Sequence, residues 1–185
     1  MRSCAAVILA ATTVLLGTAR TNADPAEDET FAAFEWFCLA HLNKTTMIPR
    51  LFKAISVKPM PNKLSQHFLS GHSGRAWFLP KKHTRLVVPL SDKGVCGVTN
   101  PDVRGPGLKG MLEHLLRNLH LSTERKGSET TTAYAVSYPN KVGGRDTRAV
   151  VLITTSARAS GKGVNLSAVP ERIMLLDGTK IPNWP

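Results

Sequence analysis

From Glu27 to Leu42 the segment EDETFAAFEWFCLAHL sets Phe31, Phe34, Cys38 and His41 or Leu42 at helical spacings. Its acidic residues stand at the start, where a helix dipole favours negative charge, and the spacing predicts an N-terminal helix with Cys38 on or beside its buried stripe. The following stretch, Asn43 to Gly74, holds Pro49, Pro59 and Pro61 and so reads as one or two short helical pieces joined by loops. After Gly74 the pattern changes to short runs rich in aromatic and β-branched residues, RAWFLP and TRLVVPLSDKGVCGV, bounded by proline, glycine and the SDKG turn. These read as a pair of strands, with Pro89 indicating an edge position or a break.

The clearest periodicity follows. Leu108, Met111, Leu112, Leu115, Leu116 and Leu119 lie at offsets 0, 3, 4, 7, 8 and 11 and predict an amphipathic helix docked on a sheet. Its polar side carries Lys109, Glu113, His114 and Arg117, with Glu113 and Arg117 spaced for a weak ion pair. TTTAYAVSYP alternates along Thr132, Tyr134, Val136 and Tyr138, and TRAVVLITTSAR is strongly β after the turn NKVGGRD, so the two predict a hairpin. The tail RIMLLDGTKIPNWP adds at most a short strand. The order α-β-β-α-β-β describes one α+β domain: an antiparallel sheet packed by an N-terminal and a central amphipathic helix.

The start of the chain changes the cysteine arithmetic. CAAVILAATTVLLG, Cys4 to Gly17, is apolar over the length of a secretory signal core and is short for a membrane span. Thr21 and Ala23 fit a cleavage site after Ala23, so residues 1–23 are expected to be a signal peptide and 24–185 a single exported domain, periplasmic or secreted, with no transmembrane segment in the mature chain. A retained anchor is the competing reading. Cleavage removes Cys4 and leaves Cys38 and Cys96, an even pair in an oxidising compartment, which points to one disulfide. Two buried thiols, or a nucleophilic Cys96, are the alternatives; no base stands at a recognisable spacing for the latter.

The chain carries a formal charge of +11, of which the signal holds only Arg2 and Arg20. Short basic clusters such as Lys81, Lys82, His83 and Arg85 favour an acidic partner: lipopolysaccharide phosphate, anionic lipid, acidic polymer or an acidic protein. A basic surface that only keeps an exported protein soluble explains the same charge. Nucleic acid is not expected, because aromatic side chains for base stacking are few and export separates the two.

Gly105, Gly107 and Gly110 are spaced as G-x-G-x-x-G, but no parallel βαβ unit or strand-end acid accompanies them, Glu129 lying in a polar segment. They are expected to serve a turn entering the helix. The helix start, with Arg104 and Lys109 nearby, remains a candidate for holding an anion. GHSG at 71–74 is similar to a hydrolase nucleophile turn but lacks its spacing, and SGKG at 160–163 lacks the features of a phosphate-binding loop. His41, His67, His72, His83, His114 and His120 show no metal-ligand spacing, so neither a metal nor another cofactor is expected. Asn43 and Asn165 open glycosylation sequons that matter only where the host glycosylates.

In layout, FEWFCLAHL, GRAWFLP, LVVPLSDKGVCGV and the amphipathic helix together resemble small exported proteobacterial proteins of uncharacterised function. The resemblance implies a structural disulfide between Cys38 and Cys96 and supplies no catalytic residue. The expected function is a non-catalytic envelope binding or accessory protein engaging anionic envelope components. The competing class is a small envelope hydrolase using His72 and Ser73 or an unpaired Cys96. Oligomeric state is not encoded in any feature of the chain.

Overall fold

The computed structural model describes residues 24–115, 117–138, 147–156, 163–171 and 173. The expected signal peptide, the turn at 140–146 and most of the C-terminal tail lie outside these residues.

Helix α1 (Pro25–Ala33) starts where its sequence directs: the Asp24 carboxylate accepts the Ala26 N–H at 3.0 Å, and Pro25 gives up no N–H that a first helical turn would use. The winding then changes to a π-helical turn over Phe34–Cys38 and a 3₁₀ stretch over Leu39–Met47. The regular helix expected over 27–42 is therefore corrected to three windings. Phe34, Phe37 and Cys38, at the i, i+3 and i+4 spacing of one helix face, are buried along this turn. The predicted stripe is otherwise in place: Phe31, Phe34, Cys38 and Leu42 are buried, while His41 is half-buried with Nδ1 2.9 Å from the Trp36 carbonyl. Two short helices follow, α2 (Ile48–Ala54), with Pro49 in its first turn, and α3 (Asn62–Ser65).

The sheet has seven strands: β1 (Gly74–Pro80), β2 (Arg85–Ser91), β3 (Cys96–Asn100), β4 (Arg117–Lys126), β5 (Glu129–Tyr138), β6 (Thr147–Ser156) and β7 (Val164–Pro170). Their order is β1-β2-β3-β7-β6-β5-β4, antiparallel throughout, with β7 returning to join the two halves. The α+β class and the antiparallel sheet stand; the expected element order is corrected at three places.

First, SDKG divides the second β run into β2 and β3. Pro89 sits in an interior strand: it pairs with Ala76 of β1, but toward β3 the paired residues are Val87 with Thr99 and Leu90 with Cys96, and the stretch between them, around the missing proline N–H, is not paired to β3. Second, α4 (Pro106–Leu115) stops short of the expected Leu119, and Arg117–Lys126 is strand β4. Arg117 therefore begins a strand, and Glu113 lies 3.8 Å from Lys109 along the helix, while the expected Glu113–Arg117 pair falls on a side chain outside the described ones. Third, VNLSAVP forms β7, between β3 and β6. The β5–β6 hairpin is in register from Glu129–Ser156 to Tyr138–Thr147, as the alternation predicts.

One sheet face carries Trp77, Leu86, Val88, Cys96, Val98, Tyr134, Val151 and Leu166, all buried beneath the N-terminal helices and α4, with Phe31, Phe34, Leu42, Leu108 and Leu112 filling the other side. Cys38 and Cys96 are joined in a disulfide, their Cα atoms 5.3 Å apart, which ties the helical layer to β3. That bond rules out a free, nucleophilic Cys96. Gly97 follows it because a Cβ there would meet the Leu166 carbonyl at 2.8 Å.

Candidate functional site

Two of the three glycines, Gly105 and Gly107, lie against an anion, and the anion belongs to the protein. Glu27, buried on α1, accepts the Gly105 N–H on Oε1 at 3.1 Å. A Cβ on Gly107 would collide with the same carboxylate, and Gly105 adopts φ +95°, a conformation side chains disfavour. The start of α4, with its unpaired N–H groups and positive dipole end, thus receives Glu27. Around it, Asn100 Nδ2 donates to Thr30 Oγ1 at 2.6 Å, and Thr84 Oγ1 donates to Asn100 Oδ1 at 3.0 Å, completing a buried polar seam. Of the two cations expected here, Arg104 is exposed and Lys109 is paired with Glu113.

The Lys81, Lys82, His83 and Arg85 cluster is likewise met by acids: Arg85 lies 3.7 Å from Asp102, and Glu29 accepts the His83 N–H at 3.0 Å. His72 and Ser73 are both exposed on the turn before β1. Among the described residues no three His, Cys, Asp or Glu side chains converge to hold a metal ion, and no helix is long and apolar enough to cross a membrane. Asn43 is exposed and donates to Thr147 Oγ1 at 2.9 Å; Asn165 lies in β7 and accepts from Thr99 at 3.3 Å.

A different place collects cations without acids. Between α2, the loop after it and edge strand β1 is a cleft of about 520 Å³ lined by Arg50, Lys53, Lys58 and Arg75. Among the described residues no carboxylate lines it and none of the four cations has an ion-pair partner. Local sequence explains the convergence. Arg50 and Lys53 stand three apart on α2, whose opposite side buries Ile48 and Phe52. The helix ends with Val57 N–H donating to the Phe52 carbonyl at 2.9 Å, and Ser56 takes a left-handed φ of 59°. That reversal carries Lys58 to β1, where Pro59 bridges to Trp77 and Met60 N–H donates to the Ala76 carbonyl at 2.8 Å. Arg75 is two residues before Trp77 on the same strand face.

The apolar part of the cleft is Pro49, Val57, Pro59 and Trp77. Beneath it Trp77 stacks on Phe52 at 4.7 Å and Phe52 on Phe37 at 4.4 Å, a rigid aromatic column. The site can therefore hold an anionic group against four positive charges while an attached apolar portion lies along Pro49, Val57 and Pro59, Trp77 itself being only 2% exposed.

The sequence signal for this cleft is one of absence. Residues 36–91 contain nine Lys or Arg and no Asp or Glu, so the cations of α2 and β1 have no nearby acid to pair with. Counting clusters of adjacent basic residues favours Lys81–Arg85 and overlooks four cations spread over 26 positions. Elsewhere carboxylates serve internal donors: Tyr138 Oη donates to Glu35 and Tyr134 Oη to Glu113, each at 3.0 Å. Burial first, and then the adjacent carboxylate, pushes both phenols up to about 12. In comparisons with known proteins, the chain matches no family model, no curated protein and no solved structure.

Proposed function

We propose that the chain is a non-catalytic, exported envelope protein that binds anionic amphiphiles, phosphate-bearing lipids in particular, at the cleft between α2 and β1. The observation that carries this reading is four convergent cations with no carboxylate among them, set on an apolar floor. A lipid headgroup presents both features at once, a phosphate and an adjoining acyl region. Each cation near an anionic lipid surface contributes about 1 kcal/mol, so four amount to roughly a thousandfold in partition. The disulfide supports export, since such bonds persist in oxidising compartments.

Co-sedimentation with phosphatidylglycerol vesicles, set against phosphatidylcholine vesicles, tests the proposal. Binding to the anionic vesicles should be strong at low salt and fall steeply as the Debye length shortens to about 10 Å and below. The variant combining Arg50→Gln, Lys53→Gln, Lys58→Gln and Arg75→Gln should fold normally, because all four side chains are exposed, and should bind both vesicles alike. Undiminished anionic-vesicle binding by that variant would overturn the assignment of the cleft.

A further inference from the structure

A second cleft, on the sheet face turned away from α1 and α4, has opposite chemistry. We propose that it binds a neutral saccharide of one or two hexose rings. The antiparallel register places Thr131 beside Thr154, Thr154 beside Asn165, and Asn165 beside Thr99, so four hydroxyl or amide side chains make one ladder across β5, β6, β7 and β3. A second rung sets Glu129 beside Ser156. Strand alternation puts all six on the face opposite Cys96 and Leu166. Thr99, Thr154, Ser156, Asn165 and Glu129 line a cavity of about 550 Å³, closed on its other side by His67 and Phe68. This volume lies in the range that small-molecule clefts occupy.

Hydrogen-bond accounting shows what the cavity offers. Thr99 donates to Asn165 Oδ1 at 3.3 Å, and among the described residues neither Asn165 Nδ2 hydrogen has an acceptor, so both can donate into the cavity. The Thr131 and Thr154 hydroxyls share one bond at 3.0 Å, so one hydroxyl hydrogen remains. Ser156 Oγ is shielded from solvent and has no hydrogen-bond partner among the described residues. A shielded hydroxyl without a partner is a cost to the fold, and it marks where a ligand group would be received. Glu129 supplies acceptor oxygens alone.

The ligand must then both donate and accept. An anion would meet Glu129 with no Lys or Arg among the described lining residues, and a cation would approach a strongly basic protein for the sake of one carboxylate. Sugar hydroxyls fit both halves of the ladder, and the C–H face of a pyranose ring suits the ring of Phe68. This site is separate from the cationic cleft in residues and in charge, so either assignment can fail alone.

The test is a titration of the full, oxidised, isotope-labelled chain with cellobiose, maltose and N,N′-diacetylchitobiose, followed by amide NMR. At least one disaccharide should shift the Asn165 side-chain amide and the Thr99 and Thr154 backbone signals saturably. Thr154→Val, which keeps side-chain shape, and Glu129→Gln should each weaken that binding by about tenfold or more. Ser156→Ala should weaken it while leaving thermal stability unchanged or raised, because it removes a hydroxyl that has no partner among the described residues. The variant lacking the four cleft cations should bind the sugar as before. Absence of any shift with all three sugars, equal affinity in the variants, or destabilisation by Ser156→Ala would each overturn the proposal.

Discussion

The start of α4 and the cleft beside α2 are both places where positive potential gathers, yet only one of them is open to a visitor. At α4 the donors are backbone N–H groups at a helix end, and Glu27 from α1 reaches them inside the core. At α2 the charges are side chains on an acid-free stretch of chain, and none of the described carboxylates arrives. The difference teaches that charge or motif at a site says little until the protein's own counter-charges are placed. An internal carboxylate converts a potential anion site into a tertiary contact; its absence leaves the field directed outward.

Both places depend on the helical layer staying on the sheet, so the largest effect comes from releasing it. The Cys38–Cys96 bond closes a loop of 58 residues, and chain entropy assigns such a closure about 4 kcal/mol. Cys38→Ser and Cys96→Ser should each lower stability by about that amount, and the double variant should cost little more, because one bond is shared. Chemical denaturation of the three variants checks this. Additive losses would show that each cysteine acts through packing alone.

The next test separates the occupied site from the open one. Gly107→Ala drives a Cβ into the Glu27 carboxylate, whereas Gly110→Ala, one turn on, meets nothing within 4 Å. The first should destabilise by about 2–4 kcal/mol, since a buried charge must move or lose its donor. The second should stabilise by about 0.5–1 kcal/mol, as alanine does in a helix interior. Thermal melts of the pair give the sign directly. A neutral Gly107→Ala would mean that the carboxylate is not held at the helix start.

These glycines also show what could be read in advance. Their spacing and the leucine period that follows predict a turn entering a helix, and the missing βαβ context excludes a dinucleotide. Glu27 as the resident anion was not legible, because the contact spans 78 positions and depends on how α1 crosses α4. Strand β4 was hidden for a different reason: Leu119 continues the helical leucine period, while the residues beyond it are polar and exposed and so carry little alternation. The Gly127–Ser128 pair between Lys126 and Glu129, with Gly127 at φ 60°, is the local hairpin sign that marks it. The cysteine pair and the β5–β6 hairpin were legible because each rests on a local pattern or a simple count. The cationic cleft needs α2 and β1 side by side, which no local period encodes.

The smallest effect tests the rule that carboxylates are spent internally, using the only two tyrosines in the chain. Tyr134 and Tyr138 are pushed up to about 12 by burial and then by Glu113 and Glu35. Both phenols should therefore stay protonated through their ordinary range near 10 in the folded protein. Because the folded values are raised, the associated stability is fully present below pH 10 and is lost as pH rises through about 12. Tyrosinate absorbance during an alkaline titration should show no native ionisation near 10, with the ordinary midpoint regained in denaturant. Glu113→Gln removes the negative charge but leaves an acceptor, so it should lower the Tyr134 midpoint only part of the way, burial being the larger cause. A full return to the ordinary value would make the carboxylate, not burial, the dominant influence, while no change would remove Glu113 from the set of carboxylates that serve internal donors.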